Sequence, residues 1–146
     1  MDTLKVKRLT PTATLPTRAT HGDAGLDLYA SESMVVIPGV VTKGYTGIAV
    51  EIPHGYVGLI HPRSGLAAKH GITVVNAPGT IDAGYRGELV VLLTQLKTAS
   101  YLPFGITAGE RIAQLVIQKV ELPEVEEVEE LSDSVRGAGG FGSTGV

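Results

Sequence analysis

Apolar and polar residues alternate along most of this chain in short runs that end at glycine or proline. In residues 47–52, Gly-Ile-Ala-Val-Glu-Ile, the branched residues recur at every second position, which is the period of a half-buried strand. The same pattern, interrupted by turn residues, predicts short strands over residues 5–9, 24–30, 34–37, 46–52, 56–61, 88–96 and 111–120. This spacing is typical of an all-β sandwich or barrel.

Residues 62–72, PRSGLAAKHGI, break the β pattern and predict one short helix. Ser64 is a suitable N-cap, residues 66–69 are good helix formers, and Gly71 ends the run. The helix start would offer free backbone N–H groups beside Arg63 and the Ser64 hydroxyl, which together suit an anion. An ordinary capped helix with a surface arginine fits the same residues equally well.

Residues 79–88, GTIDAGYRGE, predict a tight β-hairpin in which the strands on either side pair with each other. Gly84 and Gly87 would take positive φ angles in its loop. Asp82 ends the first strand, and Tyr85 lies at the tip without a local partner. A turn that only reverses the chain could contain both residues, so this segment alone does not establish a site.

Two polar residues interrupt strands that are otherwise apolar on one face. Asp27 lies between Leu26 and Leu28, so its side chain points away from theirs, which predicts a solvent-facing carboxylate. Gln114 lies within the apolar run 111–120. Its amide would destabilise the strand unless it is hydrogen-bonded or exposed at a sheet edge, so it either makes a structural bond or contacts a ligand.

The chain has 146 residues, which is the length of one domain, and it contains no cysteine. Residues 1–120 have eleven basic and eight acidic residues, too few cations for a nucleic-acid-binding face but enough to favour a small polyanion. There is no signal-peptide pattern and no run of about 20 apolar residues, so we expect a soluble, cytoplasmic protein without membrane or nucleic-acid partners.

Residues 121–133 contain seven acidic residues and no basic one, which predicts an arm outside the core. The arm, residues 121–135, could span roughly 50 Å if extended, enough to reach another subunit. A frayed tail is the alternative.

The chain ends in a glycine-rich segment, RGAGGFGSTG, residues 136–145. Its G-x-G-x-x-G spacing is not a dinucleotide fingerprint, because no helix can follow, and Ser143 takes the place of a P-loop lysine. The segment could close over a phosphate chain or remain a disordered tail. The four histidines lack ligand spacing, so no protein-ligated metal is expected.

Taken together, these segments resemble the homotrimeric dUTPase family over the full length of the chain. Five motifs occur in that family's order: AGLDLYA (24–30), PRSGLAAKHGI (62–72), GTIDAGYRGEL (79–89), RIAQLVI (111–117) and RGAGGFGSTG (136–145). The resemblance implies an all-β, jelly-roll-like fold of the β-clip type with one short helix, assembled as a homotrimer with exchanged C-terminal arms. It divides the chain into a barrel or jelly-roll catalytic body (1–120), an acidic arm (121–135) and a glycine-rich lid (136–146).

The resemblance further implies Mg²⁺-dependent hydrolysis of dUTP to dUMP and pyrophosphate. Asp82 would be the general base for the attacking water, and Tyr85 would pack on the deoxyribose and leave no room for a 2′-hydroxyl. Asn76 and the backbone of Gly79, Thr80 and Ile81 would contact the uracil.

The same resemblance assigns the remaining site residues to binding of the triphosphate and to closure of the arm over the site. The phosphate contacts are Arg63, Ser64, Gly65, Gln114 and Arg136. Phe141 would stack on the base as the arm closes, with Gly142 and Ser143 beside it. Mg²⁺ would be carried by the triphosphate, and Asp27 would reach it only through water.

Two other functions remain open at this point. The dCTP deaminase branch shares the fold, but it needs a glutamate further along the strand after the hairpin, where this chain has Val90 to Leu93. A noncatalytic trimer that senses nucleotides or binds a protein partner is the second alternative. Lys69, His70 and Arg86 have no assigned role.

Overall fold

The computed structural model describes residues 3–97 and 102–141, and these form eleven short strands and one helix. The elements in chain order are β1 Lys5–Arg8, β2 Gly25–Tyr29, β3 Met34–Val36, β4 Thr42–Tyr45, β5 Ile48–Glu51, β6 Tyr56–His61, α1 Ser64–His70, β7 Ile72–Val74, β8 Gly79–Ile81, β9 Val90–Gln95, β10 Phe104–Ile106 and β11 Arg111–Lys119. The predicted all-β architecture with one short helix is confirmed. The strands β4, β7 and β10 had no counterpart in the sequence prediction.

The strands form four open sheets. The largest has the order β2-β11-β6-β8, and a second has the order β4-β9-β7, while β1 pairs with β5 and β10 with β3. The longest strand, β11, therefore lies between β2 and β6 and aligns both of them. This central position brings side chains from three separate parts of the sequence to one face.

One hydrophobic core joins the sheets. It takes alternate residues from most strands, as the period-2 pattern predicts. Its fully buried members include Leu28, Ile48, Ile72, Leu93 and Leu115.

The helix α1 begins directly after β6 and ends as predicted at Gly71, which has a φ of 63°. Glycine adopts this left-handed conformation without the steric cost of a Cβ. The predicted N-cap is wrong: the capping position is Arg63, it makes no side-chain capping bond, and Ser64 is the first helical residue.

The predicted β-hairpin at 79–88 is also wrong. The strand β8 pairs with β6 in the four-stranded sheet, whereas β9 pairs with β4 and β7 in the other large sheet. Residues 82–89 thus form a loop that crosses from one sheet to the other. Gly84 and Gly87 are not among the residues with positive φ in the described chain.

The body of the fold ends at Val120, whose N–H donates to the Gly55 carbonyl. Residues 121–138 are exposed and have neither helix nor strand. Within the described ranges, residues 121–135 make no hydrogen bond to the body. Among the described residues, no helix is long and apolar enough to cross a membrane.

Candidate functional site

Four of the five predicted phosphate contacts, all but Arg136, lie together in a cavity of about 390 Å³, which we call the arginine cavity. It contains Asp27, Arg63, Ser64, Gly65 and Gln114 from the prediction, together with Arg111. The fold thus brings together, within one chain, residues that are as much as 87 positions apart in sequence.

The four-stranded sheet places these side chains. Asp27 of β2 and Gln114 of β11 are directly paired, and Gln114 is paired on its other side with His61, the last residue of β6. Arg63 follows two residues later, immediately before α1. Because paired residues in adjacent strands point to the same face, the sheet aligns the carboxylate and the amide beside the arginine.

Asp27 lies between two guanidinium groups. Its Oδ1 accepts a hydrogen bond from Arg63 Nε at 3.0 Å, and its Oδ2 accepts one from Arg111 Nη1 at 3.3 Å. The Asp27 side chain is only 14% exposed, so the predicted solvent-facing carboxylate is wrong. Asp23 also lines the cavity, so the two arginines lie beside two carboxylates, and the guanidinium groups are the part of the cavity that suits an anionic ligand.

Gln114 makes the structural bond that was one of its two predicted roles. Its Nε2 donates to the Pro62 carbonyl at 2.9 Å, directly before Arg63. Its Oε1 lies against Gly25, where a Cβ would overlap it. The amide therefore fixes the backbone that carries Arg63 while it also lines the cavity.

Part of the predicted deoxyuridine site lies elsewhere, together with the predicted base Asp82, around a smaller cavity of about 160 Å³. This loop cavity is lined by Thr80, Ile81, Asp82, Tyr85, Glu88 and Val90. Asp82 is exposed at the end of β8. The side chain of Asn76 lies beside Gly79, the buried first residue of β8.

Tyr85 has local partners, contrary to the prediction. Its hydroxyl donates to the Glu88 carbonyl at 2.9 Å, and its ring lies against Gly87. The Glu88 carboxylate in turn accepts a bond from the Gly47 N–H at 2.7 Å. The loop that carries Asp82 is thus fastened to the start of β5, about 40 positions earlier in the chain.

The arginine cavity and the loop cavity share no lining residue. Arg136 and Phe141 of the C-terminal segment line neither of them. Arg136 Nε donates to the Gly139 carbonyl at 2.9 Å, and Phe141 is fully exposed with a φ of 51°. Gly142 and Ser143 lie outside the described residues.

Sequence reasoning missed Arg111 and Glu88. The register of β11 against β2 shifts between Arg111 and Ala113, so that a β-bulge interrupts the alternation. The signal was present in the sequence, since Ile112 and Ala113 are consecutive apolar residues and both are buried. Glu88 gave no such signal, because its partner Gly47 is remote in sequence.

The described residues contain no group of three or more His, Cys, Asp or Glu that could hold a metal ion. Asp27 is the only carboxylate that was predicted to approach one, and both its oxygens already accept hydrogen bonds from arginines. The protein side of the cavity therefore fits a metal that arrives with its ligand better than a metal held by the chain.

The chain matches a known protein family along most of its length. The dUTPase family model matches residues 12–145. The deoxyuridine 5'-triphosphate nucleotidohydrolase of Thermobifida fusca is 58% identical over 142 residues, which cover 97% of this chain and 78% of that protein.

Two solved structures extend the comparison to the fold. The dUTPase of Staphylococcus bacteriophage 80alpha, solved with dUpNHpp, matches with a TM-score of 0.89 at 36% identity, and the match covers 100% of both chains. A mutant dUTPase from phage phi11 of S. aureus, whose structure describes the coordination of a structural Mg(II) ion, matches with a TM-score of 0.79 at 32% identity over 88% of this chain and 98% of that chain. The predicted fold class is confirmed, and this chain belongs to the dUTPase family.

Proposed function

We propose that this protein hydrolyses dUTP to dUMP and pyrophosphate. The observation that carries the proposal is the arginine cavity, in which Arg63, Ser64 and Gln114 converge within a chain of the dUTPase family. The names of its relatives give the same activity.

The arginine cavity binds the triphosphate. Arg63 and the first two residues of α1, Ser64 and Gly65, line the cavity, and the first turn of that helix has no acidic residue to oppose an anion. Ser64, Gly65 and Gln114 add hydrogen-bond donors. These groups oppose the negative charge that builds up on the phosphate oxygens as the bond breaks, which is where electrostatic stabilisation accelerates the reaction.

Asp82 acts as the general base. It takes a proton from a water molecule whose oxygen attacks the α-phosphorus, and the bond from that phosphorus to the bridging oxygen breaks, so that pyrophosphate leaves. The exposed position of Asp82 beside a cavity supports this role, because an accessible carboxylate can accept a proton from solvent.

The loop cavity selects the deoxyuridine part. The strand β8 is the last strand of its sheet, so the outer backbone groups of Gly79, Thr80 and Ile81 have no strand partner among the described residues and are free to bond the uracil edge. Asn76 lies beside them. Tyr85 packs on the deoxyribose. Cytosine binds more weakly than uracil, because its amino group would leave a buried polar group without a hydrogen-bond partner, at a cost of about 1–3 kcal/mol.

Each complete site combines three copies of the chain in a homotrimer. Two observations support this arrangement: the arginine cavity and the loop cavity are separate in one chain, and residues 121–135 extend from the body without a bond to it. The body (1–120), the arm (121–135) and the lid (136–146) then have distinct tasks. The exchanged arm delivers Arg136, Phe141, Gly142 and Ser143 to a site on another copy.

Mg²⁺ is the proposed cofactor. Bound to the triphosphate, it would screen the charge of the phosphate oxygens, and Asp27 would contact it through water. A related phage dUTPase structure describes a structural Mg(II) ion, which supports this proposal. The same proposal includes a cytoplasmic location, in keeping with a chain that has no cysteine.

Replacing Asp82 by Asn tests the mechanism. We expect D82N to lose about 10²- to 10⁴-fold in kcat, since it removes the base, while dUpNHpp binds with nearly the wild-type Kd. Pyrophosphate release from dUTP, dCTP, dTTP and UTP is the assay, and ammonia release from dCTP identifies a deaminase. E32Q is a control, because it removes an exposed carboxylate that lines neither cavity. Normal turnover by D82N would overturn the assignment of the base.

A further inference from the structure

Arg111, the first residue of β11, reaches the arginine cavity only because of a β-bulge. In a regular strand, residues 111 and 114 would point to opposite faces of the sheet. The register shift between Arg111 and Ala113 changes this, so that Arg111 and Gln114 both line the cavity. Bulges commonly redirect a side chain next to a functional site.

Arg111 is linked to Arg63 through the carboxylate of Asp27. Arg111 holds Oδ2 of Asp27, and Oδ1 accepts from the Nε of Arg63. A guanidinium has five N–H donors, so this bond at Nε leaves the two terminal nitrogens of Arg63 available. No described residue accepts a hydrogen bond from them.

An unoccupied Oδ2 would change this arrangement. A free carboxylate binds a guanidinium through two parallel bonds, which would engage a terminal nitrogen of Arg63 as well as Nε. That nitrogen would then turn away from an incoming phosphate. Arg111 already donates to Oδ2, and a terminal nitrogen of Arg63 at the same oxygen would bring two like-charged guanidinium groups together, which disfavours the two-bond arrangement.

We propose that Arg111 is a positioning residue: it holds Asp27 in a single bond to Arg63 and so keeps the terminal nitrogens of Arg63 directed at the triphosphate. The proposal rests on the proposed function, because it assumes that the arginine cavity binds the phosphates of dUTP. It also gives Asp27 a task that needs no metal.

The first test measures the Kd of dUpNHpp in EDTA for wild type, R111Q and R111M. We expect both variants to bind about tenfold more weakly, which corresponds to about 1.4 kcal/mol. Deoxyuridine, which has no phosphate, should bind all three proteins equally. R8Q removes an exposed cation on β1 and controls for net charge. Thermal unfolding shows whether each variant is folded. If only one of R111Q and R111M folds, its Kd alone decides the test.

The second test asks whether Arg111 acts through Arg63. In an R63Q background, the effect of R111Q on the Kd should disappear, because there is no longer a guanidinium to position. If the two effects multiply instead, Arg111 contacts the phosphate independently and the proposal is wrong. In ¹⁵N–¹H spectra, the Arg63 Nε–H signal should shift in R111Q and stay unchanged in R8Q.

Different results would contradict the proposed function and the role of Arg111. If the wild-type protein neither binds dUpNHpp nor hydrolyses dUTP, the proposed function is wrong. If the wild-type protein does both and R111Q binds dUpNHpp equally well, only the role of Arg111 is wrong.

Discussion

A single side-chain amide, that of Gln114, ties together three strands at the arginine cavity. It belongs to β11, its Nε2 holds the Pro62 carbonyl after β6, and its Oε1 lies against Gly25 of β2. The absence of a side chain at Gly25 is what allows this close approach. The position of Arg63 therefore depends on a residue that holds the backbone directly before it.

Replacing Gly25 by Ala should disturb the cavity without touching a charged residue. The new Cβ would overlap Gln114 Oε1, so the amide must move and the Pro62 carbonyl loses its donor. We expect a loss of about 1–3 kcal/mol in the free energy of unfolding. The KM for dUTP should also rise, by about tenfold if one hydrogen bond of about 1–1.5 kcal/mol is lost.

Denaturant unfolding and steady-state kinetics measure both effects of G25A. The matched control is G105A in β10, where a Cβ would meet no atom within 4 Å. If G25A and G105A behave alike, Gly25 has no role in placing Gln114.

At the scale of single residues, the sequence predicted which residues matter better than it predicted where their side chains point. Asp27 and Gln114 were recognisable as polar interruptions of apolar strands, and the need for a bond at Gln114 followed from the cost of burying an amide. The direction of Arg111 depends on the bulge, and the partners of Asp27 depend on that direction. Strict alternation of side chains along a strand predicts neither the direction of Arg111 nor the partners of Asp27.

At the scale of elements, β1 and β5 pair in a small sheet of their own, and Lys5 lies directly opposite Glu51. The Lys5 Nζ donates to Glu51 Oε1 at 2.8 Å. This bond and the positive charge of Lys5 lower the pKa of Glu51 below its ordinary value of 4.5. The cross-strand pair therefore makes the stability of this sheet depend on pH.

The lowered pKa fixes the sign of that dependence. The pair contributes fully above pH 4.5, where the carboxylate would be ionised even in the unfolded chain, and it is lost as the pH falls through the lower pKa of the folded state. We expect the difference in unfolding free energy between wild type and E51Q to be largest at neutral pH and to vanish on acidification.

Urea unfolding from pH 7 down to pH 3 measures this difference, and E32Q is the control, since Glu32 has no cationic partner among the described residues. Added salt should reduce the difference, since the pair is exposed. Parallel pH profiles for wild type and E51Q would contradict the assignment.

The strands themselves were largely predictable, whereas their partners were not. Period-2 alternation marks a strand but does not say which sheet it joins, and so β8 and β9 were wrongly paired across a hairpin. The loop between them is instead held by the bond from Gly47 to Glu88 and by that from Leu89 to Ile48, both formed with distant residues. Strands of three residues, such as β7 and β10, are too short to show a pattern.

At the scale of the whole molecule, the chain separates the parts of its proposed site. The arginine cavity and the loop cavity are distinct, and the described part of the C-terminal segment lines neither. The acidic composition of residues 121–133 predicted that this stretch leaves the core, and its exposure agrees. Which surfaces meet between copies is a property of the assembly, and alternation and charge within one sequence do not determine it.

The central claim is that each site combines Asp82 of one copy with the lid of another. Mixed oligomers of two inactive variants test it most directly: D82N, which keeps the lid, and the chain shortened to residues 1–135, which keeps Asp82. After the two are unfolded and refolded together, sites with Asp82 from one variant and a lid from the other should recover about a quarter of the wild-type dUTP hydrolysis rate, as random assembly predicts. A rate no higher than that of either variant alone, in oligomers that mass spectrometry shows to be mixed, would contradict the shared site.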